Sequence, residues 1–580
     1  MSASLALPHR GQQRFLLNGL ALLFVALAVA GGLRAYSPIP VWDMWSAYLS
    51  FMDQAAEGGW RTWWGQHNEH RLLLARLFFW VDLRWFDGAG WFLIAVNYLL
   101  AALAAWLFCR ILRHVEVAPE RRAEMHALYV LVIIALFFWS QQDNLTGGFQ
   151  SQFFLAQLIP LAALYALYRS LPGGRAAFSL ACLLGVLSAG SMANGVLALP
   201  LMTAYAALTR QGARRIGTLA LLTALTLYAY FYDYAAPAHH SSPLQALREH
   251  PLQVVRYVLY YLGSPFYHAF GGKGPGRSIA LIAAVFLVGS ALRFALQALR
   301  RRNQSALPLA LLFYIAYIGA TAFGTAAGRL LFGVSQSLTL RYSTPALMAW
   351  CALLVLYAPA LLALEGRRRR LVWAGLALTV ALMLVYQTKA LNSLADELFK
   401  RSIGALAIEL RIKDEVELSH MYPTTDVVEI TAPAADRQRS VFGMFPFKGA
   451  RAQMGATFAP VALPACQGML ETAESTAGDA RFLRVAGWMY GASGKREAQV
   501  VRFLDSGGRQ VGYALGGQVR ADLRAQIAQA ADGAGFRGYL SAAEAGPELT
   551  LRGEGPDGPF CQMRVAYPAP APGLARDGSG

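Results

Sequence analysis

The 580-residue chain has long stretches without charged residues, and these stretches limit the classes of protein to which it can belong. Its apolar blocks run for about 18–22 residues, the length that crosses a hydrocarbon core of roughly 30 Å. The hydrophobic fraction is 56%, above the roughly 45–50% of soluble domains. The centres of the blocks carry no charged groups of the kind that ion-coupled transporters use. The sequence therefore predicts a polytopic α-helical membrane protein rather than a soluble enzyme or an ion-coupled transporter.

The apolar blocks predict about eleven transmembrane helices. No clear small-residue cleavage site follows the first block, so it is interpreted as a membrane span rather than a signal peptide. The spans are expected at 15–33, 91–111, 126–140, 152–169, 176–190, 193–209, 216–232, 278–298, 305–325, 343–364 and 371–389.

Acidic residues are fewer than basic ones, and the net charge is +17. The basic residues cluster in short gaps between apolar blocks, as they do in cytoplasmic loops, so no nucleic-acid partner is expected. Counting from a cytoplasmic N-terminus in a bacterial inner membrane, every cytoplasmic gap is basic, and residues after 390 are periplasmic. The basic gap residues are Arg110, Arg113, Arg121, Arg122, Arg169, Arg175, Arg210, Arg214, Arg215, Arg300, Arg301, Arg302 and Arg367 to Arg370.

Cysteine is scarce, with five residues in the chain. Cys109, Cys182 and Cys351 lie in apolar blocks, where single thiols are ordinary packing residues. Cys466 and Cys561 lie in the polar C-terminal region. Because the periplasm permits disulfides, we expect these two residues to form one.

The composition changes after residue 390. The segment that follows has the pattern of an amphipathic helix, and short alternating runs separated by Gly-rich turns come next, as in a small β-sandwich. The expected organisation is a transmembrane catalytic domain at 1–390 with long periplasmic loops at 34–90 and 233–277, an amphipathic helical linker at 391–425, a periplasmic β-sandwich at 426–568 and a disordered tail at 569–580.

Two aspartates follow spans on the predicted outer side. Asp43 is placed to act as a general base that takes a proton from an acceptor hydroxyl. Asp143 belongs to a polar outer segment and is a second catalytic candidate. For each, the alternative is a helix cap. The amides expected to bind a sugar or acceptor are Gln150 and Gln152, in the same segment as Asp143, and Asn194 further along the chain.

A compact polar cluster, QHNEHR, lies in the first long outer loop. Glu69 is a further catalytic candidate, and Arg71 is expected to bind a phosphate. His67, Asn68 and His70 would bind sugar or acceptor. Two alternatives stay open, a solvated loop rim and a divalent metal held by His67, Glu69 or His70, although this spacing is a weak metal signal.

Basic residues on the predicted outer side run against the positive-inside rule, so their presence there needs an explanation. Arg341, Arg329, Lys273 and Arg277 are expected to hold a donor phosphate, for which guanidinium groups offer bidentate contacts. The alternative is pairing with anionic lipid headgroups. His239, His240 and His268 are nearby, without an assigned role.

This pattern resembles the GT-C superfamily of membrane glycosyltransferases. The resemblance rests on an acidic residue soon after the first span, Asp43, and surface helices in a long first outer loop. Asp143 in the next outer loop, a second long helical loop and a C-terminal periplasmic domain also match. It implies transfer of a sugar from a polyprenyl-phosphate donor to a periplasmic glycan, lipid or protein. Two other classes stay open: a polysaccharide-lipid flippase or export protein, and a non-catalytic scaffold that presents a carbohydrate-binding domain.

Overall fold

A computed structural model of the chain describes residues 7–236, 243–300, 306–491, 496–527 and 531–566. The expected tail at 569–580 and the residues His239 and His240 lie outside this part. The chain forms two compact units. Unit 1 comprises Met1–Tyr36, Glu57–Phe78 and Trp91–Asn392, and unit 2 comprises Ser37–Ala56, Phe79–Gly90 and Ser393–Gly580.

Helices dominate the chain as far as Gln387, as the apolar blocks predict. In chain order they are α1 (Leu7–Ala35), α2 (Phe51–Gly58), α3 (Trp60–Trp64), α4 (Leu73–Trp85), α5 (Trp91–Leu112), α6 (Arg122–Leu136), α7 (Gln142–Thr146), α8 (Ser151–Arg169), α9 (Arg175–Ser188), α10 (Ala198–Leu208), α11 (Ala213–Phe231), α12 (Pro243–Glu249), α13 (Pro251–Ala269), α14 (Pro275–Arg300), α15 (Ala306–Arg329), α16 (Ser343–Leu362) and α17 (Gly366–Gln387). A short hairpin lies between α3 and α4, and each of its strands, β1 (Gln66–His67) and β2 (His70–Arg71), has two residues.

Eight helical segments within the described residues are long and apolar enough to cross a membrane, which is consistent with a multi-pass membrane protein. Among the other predicted spans, α9 and α10 are shorter apolar helices, and α11 carries Arg214 and Arg215 in its first turn. The total of about eleven therefore stays a prediction. The eight segments are Gly11–Ala35, Trp91–Leu112, Pro119–Thr146, Ser151–Arg169, Pro275–Ala298, Ala306–Phe332, Leu340–Leu362 and Gly366–Leu391.

Close helix packing in unit 1 depends on a small residue in α13. A Cβ added at Gly263 would lie 2.0 Å from the carbonyl oxygen of Ala280 in α14, so only glycine allows this approach. Pro251 opens α13 at its first turn, where a missing N–H costs nothing. The resulting helix carries the buried side chains of Tyr257 and Tyr261 into the bundle.

The two ends of the helices in unit 1 differ in charge. At one end the Arg369 guanidinium donates to the Glu124 carboxylate, and an Arg215 guanidinium nitrogen lies 3.0 Å from the carbonyl oxygen of Ser170. These positions are the start of α6, the start of α17, the start of α11 and the segment after α8. The opposite ends of α8 and α17 bear Gln152 and Lys389. The basic gap residues that are described therefore collect at one end, which we term the basic end, and the other is the polar end.

Unit 2 ends in a curled sheet of eight strands. Its strand order is β10-β9-β6-β7-β8-β4-β3, with β5 paired to β4, and all pairs are antiparallel. The expected β-rich domain is confirmed, but in the described residues its strands form one sheet rather than two packed sheets. The strands are β3 (Gln467–Ser475), β4 (Phe482–Gly491), β5 (Arg496–Glu497), β6 (Val500–Leu504), β7 (Gln510–Gln518), β8 (Gly535–Ser541), β9 (Glu548–Gly555) and β10 (Gly558–Ala566).

The first and last strands of the sheet are fastened to each other. Cys466 forms a disulfide with Cys561, the pairing expected from the sequence. Ala465 forms an isolated parallel bridge with Gln562, and the Cys466 N–H donates to the Gln562 carbonyl at 3.0 Å. The sheet therefore curls until its two edges meet, around an apolar core that contains Val485, Phe503 and Phe536.

Helical turns precede the sheet in unit 2. They begin with an amphipathic helix within the predicted linker, but strand structure starts at Gln467 rather than near residue 426, because short helices occupy the intervening segment. These elements are α18 (Ala395–Glu409), α19 (Glu415–Leu418), α20 (Val427–Ile430), α21 (Ala432–Asp436) and α22 (Ala450–Gln453), and a further helix, α23 (Ala521–Gln526), lies between β7 and β8.

Candidate functional site

The β1–β2 hairpin holds the QHNEHR cluster at the polar end of unit 1. His67 pairs with His70 and Gln66 with Arg71, and Asn68 takes a φ of 49° in the turn. The Tyr230 hydroxyl of α11 donates to the carbonyl of Glu69 at 2.8 Å. The hairpin therefore presents two histidines and a glutamate on a short, fixed support.

Arg71 is nearly buried and bonds to the backbone of neighbouring elements. It is 4% exposed, and its guanidinium donates to the carbonyls of Tyr230, Trp64 and Tyr232 at 2.7, 2.8 and 2.7 Å. The same group lies against the Trp64 and Tyr230 rings. Each of its nitrogens thus donates to a backbone oxygen, which gives Arg71 a structural role, and its expected phosphate role stays a prediction. Its charge-assisted bonds fasten the hairpin to α3 and α11.

Glu69 brings Arg329 and His70 together. Its Oε1 lies 3.4 Å from Nη2 of Arg329 and 3.5 Å from Nε2 of His70. The backbone N–H of Ala193 donates to Nδ1 of His70 at 3.2 Å, so the neutral ring carries its proton on Nε2, facing the carboxylate. Two expected site residues, Glu69 and Arg329, therefore form an ion pair across a large sequence separation.

Three further expected ligands of the sugar or acceptor lie near this pair. The His67 ring packs edge-on against Phe149, with the ring centroids 5.6 Å apart. Asn68 is exposed, and its Nδ2 lies 3.4 Å from Nε2 of His67. The Asn194 side chain, adjacent to Ala193, donates to Oγ1 of Thr321 at 3.1 Å, which orients its amide at the polar end of α15.

Asp143 and Arg341 belong to segments that contact each other. Asn144, the next residue after Asp143, donates its side-chain N–H to the Arg341 carbonyl at 2.7 Å and to Oγ1 of Thr344 at 2.8 Å. Asp143 lies in the first turn of α7, one residue inside the helix rather than at its N-cap. Asp143 is therefore not the N-cap residue that the sequence analysis left open as an alternative.

The Arg341 guanidinium is half-buried and rests 5.8 Å from the centroid of the Tyr342 ring. Within the described residues it forms no ion pair. Arg329 and Arg341 are both close enough to act electrostatically on the Tyr257 hydroxyl of α13. Lys273 and Arg277 are exposed around the start of α14 and have no ion pair in the described part of the chain.

Gln150 and Gln152 flank the start of α8. Gln152 is 2% exposed, and the side-chain oxygens of both glutamines lack a hydrogen-bond partner among the described residues. A buried, unpaired acceptor costs about 1–3 kcal/mol, so these oxygens are suited to a ligand that brings hydroxyl donors.

Sequence reasoning missed a cation at the same end. The Lys389 ammonium lies 4.3 Å from the centroid of the Tyr386 ring, and the His268 ring contacts the same tyrosine in a tilted arrangement, with ring centroids 5.8 Å apart. Nε2 of His268 is 3.0 Å from the Leu338 carbonyl. Burial, aided by the charge of Lys389, lowers the pKa of His268 to about 4, so this ring is neutral. Lys389 follows the last span, and the topology argument applied to Arg341 would have found it.

Asp43 belongs to unit 2 and precedes a single π-helical turn, Met44–Tyr48. It occupies the N-cap position, but its side chain makes no capping hydrogen bond. Trp42 takes a φ of 51°, a conformation that costs a non-glycine residue energy, and its N–H donates to the Met421 carbonyl at 2.8 Å. A strained residue is thus held immediately before the carboxylate.

In the described ranges no three or more His, Cys, Asp or Glu side chains converge as metal ligands would. Glu69 and His70 contact Arg329 and Ala193 respectively. No protein-family model matches the chain, and none of the curated proteins matches it.

Proposed function

We propose that this chain is a membrane glycosyltransferase of the GT-C type, which transfers a sugar from a polyprenyl-phosphate donor to a glycan, lipid or protein acceptor. The observation that carries the proposal is the environment of Arg341. A half-buried guanidinium without an ion pair in the described residues belongs to a segment that contacts the Asp143 segment. Such a cation at the end of apolar helices suits a lipid-linked phosphate.

In the proposed reaction, an acceptor hydroxyl attacks the anomeric carbon of the donor sugar. The new bond joins that carbon to the acceptor oxygen, and the bond to the phosphate oxygen breaks. Arg341 and Arg329 stabilise the negative charge that develops on the departing prenyl phosphate. A carboxylate takes the acceptor proton. Asp143 is the candidate within unit 1, and Asp43 is the candidate within unit 2.

The amides of the polar end would orient the sugar. Gln150 and Gln152 offer buried acceptor oxygens, and Asn194 offers an amide fixed by Thr321. His67 and His70 would bind the sugar or acceptor from the β1–β2 hairpin. Glu69 would tune Arg329 through their ion pair, and it stays a third candidate base.

The proposed location is the bacterial inner membrane, with the basic end in the cytoplasm. This orientation follows from the positive-inside rule and would place the polar end and unit 2 in the periplasm. A reporter that is active only in the periplasm tests it. Fused after Asn392 the reporter should be active, and fused after Arg210 it should be silent. The reverse pattern would contradict the orientation.

The activity is tested with purified protein in lipid nanodiscs and with surface glycans of a strain that lacks it. Mass spectrometry should detect loss of one sugar from a glycan, lipid or protein in that strain. Arg341→Ala should abolish restoration of the sugar, whereas Arg214→Ala, an exposed arginine at the basic end, should restore it. Unchanged glycans and glycoproteins in the deletion strain would count against the proposal.

Asp143→Asn and Asp43→Asn identify the base. A general base contributes about 100- to 10,000-fold in rate, so the variant that removes it should lose transfer and keep donor binding. If both variants transfer sugar at the parental rate, the base is Glu69 or a histidine, and the assignment of both aspartates is wrong.

A further inference from the structure

The curled sheet of unit 2 carries arginines on the face opposite its apolar core. Val501 and Phe503 of β6 and Leu551 of β9 belong to the core, so the residues that alternate with them lie on the opposite face. Arg502 of β6 and Arg552 of β9 are paired directly across the two strands. The Cβ atoms of such a pair are about 4.5–5.5 Å apart, and like charges there are unfavourable.

The charge of Arg502 is neutralised within the sheet. Its Nε lies 2.7 Å from Oε2 of Glu554, and its Nη1 donates to Oε1 of Gln510 at 2.7 Å. The same guanidinium lies 5.1 Å from the centroid of the Phe458 ring and 5.4 Å from that of the Tyr513 ring. These contacts hold Arg502 in place and engage the carboxylate of Glu554.

Arg552 is buried without a counter-ion in the described part of the chain. It is 5% exposed, its Nε has no hydrogen-bond partner among the described residues, and none of their carboxylates forms an ion pair with it. On the same face of the sheet, Arg484 pairs with Asp414 at 2.7 Å. Arg537 pairs with Glu417 at 3.0 Å. A buried charge without a partner is costly, so Arg552 requires an explanation.

Solvent reaches this face beside Arg552. The strand next to β9 is β10, which ends the strand order of the sheet. Its Gln562 lies directly opposite Arg552 and is half-buried, and Arg564, two residues later, is exposed. The Gln562 amide can therefore donate a hydrogen bond to a ligand that reaches Arg552.

We propose that Arg552 and Gln562 bind the carboxylate of an acidic ligand at this face of the sheet. A guanidinium fork matches the two oxygens of a carboxylate in a bidentate contact. The two opposed arginines and Glu554 leave one net positive charge, which one carboxylate neutralises and a phosphate dianion exceeds. A sugar acid and a simple organic acid both supply this group, and the experiment separates them. The site lies within unit 2 and does not depend on the proposed function.

The test measures binding to the full-length protein in nanodiscs by equilibrium dialysis of radiolabelled glucuronate, acetate, glucose and inorganic phosphate. A hydrogen bond to a charged group corresponds to about tenfold or more in affinity, so Arg552→Gln should bind glucuronate and acetate at least about tenfold more weakly than the parental protein. Glucose, which lacks the carboxylate, should bind equally to both proteins. Tighter binding of glucuronate than of acetate assigns the site to a sugar acid, and equal binding assigns it to carboxylates in general.

Three results would overturn the proposal. The first is that the parental protein binds neither carboxylate, and the second is that Arg552→Gln binds both with parental affinity. The third is that the parental protein binds phosphate more tightly than it binds either carboxylate.

Arg564→Gln is the matched control. Arg564 is an exposed arginine of β10 without an ion pair in the described residues, and its replacement changes the net charge by the same amount. The affinity of Arg564→Gln for glucuronate and acetate should stay at the parental value. An equal loss in both variants would show a general effect of net charge and would contradict the site.

Thermal unfolding shows whether Arg552→Gln folds and tests the missing counter-ion separately. Without added carboxylate, removal of a buried charge that has no partner should leave the midpoint of the variant equal to or above that of the parental protein. Saturating glucuronate should raise the parental midpoint and leave that of Arg552→Gln unchanged. A lower midpoint for Arg552→Gln without added carboxylate would show that Arg552 already has a partner within the protein, and the proposal would be wrong.

Discussion

The side chain of Asn144 donates to the backbone carbonyl of Arg341 at 2.7 Å, although the two residues are 197 positions apart. The same amide donates to Thr344, whose hydroxyl donates in turn to Oε1 of Gln141 at 2.7 Å. This buried chain of side chains ties the segment of Asp143 to the segment of Arg341. It therefore sets the spacing between a candidate base and a candidate phosphate ligand.

Replacing Asn144 by Ala should destabilise unit 1 and weaken phosphate binding together. Two hydrogen bonds are lost, and the acceptors that remain are buried, so we expect a cost of about 1–3 kcal/mol in the free energy of unfolding. Thermal unfolding and farnesyl phosphate binding measure the two effects. Asn18→Ala, an exposed asparagine on α1 that contacts His126, should change neither by a comparable amount. Parental binding in Asn144→Ala would show that Arg341 is positioned without this amide.

Arg71 and Arg341 should respond differently to the same substitution. Arg71→Lys removes a fork that bonds three carbonyls, so it should lower the thermal midpoint while farnesyl phosphate affinity changes little. Arg341→Lys should keep the midpoint and weaken phosphate binding. If Arg71→Lys lowers affinity more than Arg341→Lys does, the structural role assigned to Arg71 is incorrect.

Glu69→Gln should strengthen phosphate binding. The carboxylate of Glu69 competes with a ligand for the Arg329 guanidinium, 3.4 Å away, and a neutral amide competes less. We expect affinity for farnesyl phosphate to rise by up to about fivefold, in line with a partly exposed ion pair. Weaker binding would indicate that Glu69 orients Arg329 rather than opposing the ligand.

Asp82 should give unit 2 a pH-dependent stability. Its carboxylate is buried and accepts from the Tyr48 hydroxyl and the Gly90 N–H, and burial raises the pKa of Asp82 from 3.8 to about 6. The folded state therefore binds the proton more tightly than the unfolded state. The stabilising contribution of Asp82 to the free energy of unfolding is therefore complete below pH 3.8. This contribution falls by up to about 3 kcal/mol as the pH rises to 6.

Thermal midpoints between pH 4 and 7 test this assignment. The parental protein should lose stability over that window, and Asp82→Asn should remove this component of the slope. Tyr48→Phe deletes the hydrogen bond that lowers the pKa, so the loss should shift to higher pH. A slope that survives in Asp82→Asn would assign the effect to another group.

Reduction should open the sheet of unit 2. The Cys466–Cys561 bond closes a loop with a sequence separation of 95, for which chain entropy gives about 4–5 kcal/mol. The Cys466→Ser, Cys561→Ser double variant should unfold at lower denaturant concentration than the oxidised parent, and the reduced parent should match it. Cys182→Ser, a cysteine outside the disulfide, should behave as the parent does. Equal stability of the oxidised and reduced parent would contradict this.

Much of the architecture could be predicted because it depends on local pattern. Uncharged runs predicted the long helices, and the lone pair of cysteines in a polar region predicted the disulfide. The neighbourhood of Asp143 and Arg341 followed from topology, since both were expected at the same ends of spans. Such features depend on hydrophobicity and on the alternation of sides.

Other features depend on tertiary contacts that pattern does not contain. The carbonyls that occupy Arg71 come from Tyr230 and Tyr232, far along the chain. The sequence predicted one outer loop at 34–90, but Glu57–Phe78 belongs to unit 1, whereas Ser37–Ala56 and Phe79–Gly90 belong to unit 2. The buried state of Asp82 was likewise missed, because the Tyr48 hydroxyl that it accepts from lies in a different segment.

The divided loop also has a consequence for biosynthesis. Trp45 packs on Phe442, Ser440 donates to the Gly88 carbonyl, and Arg437 and Arg439 pair with Asp53. The early residues of these pairs leave the ribosome long before their partners, with most of the apolar helices made in between. Unit 2 can therefore close only after its later segment has been made, because contacts between residues far apart in sequence cannot form before both are present. A fragment that begins at Ser393 would lack the early residues of these pairs, Trp45, Asp53 and Gly88.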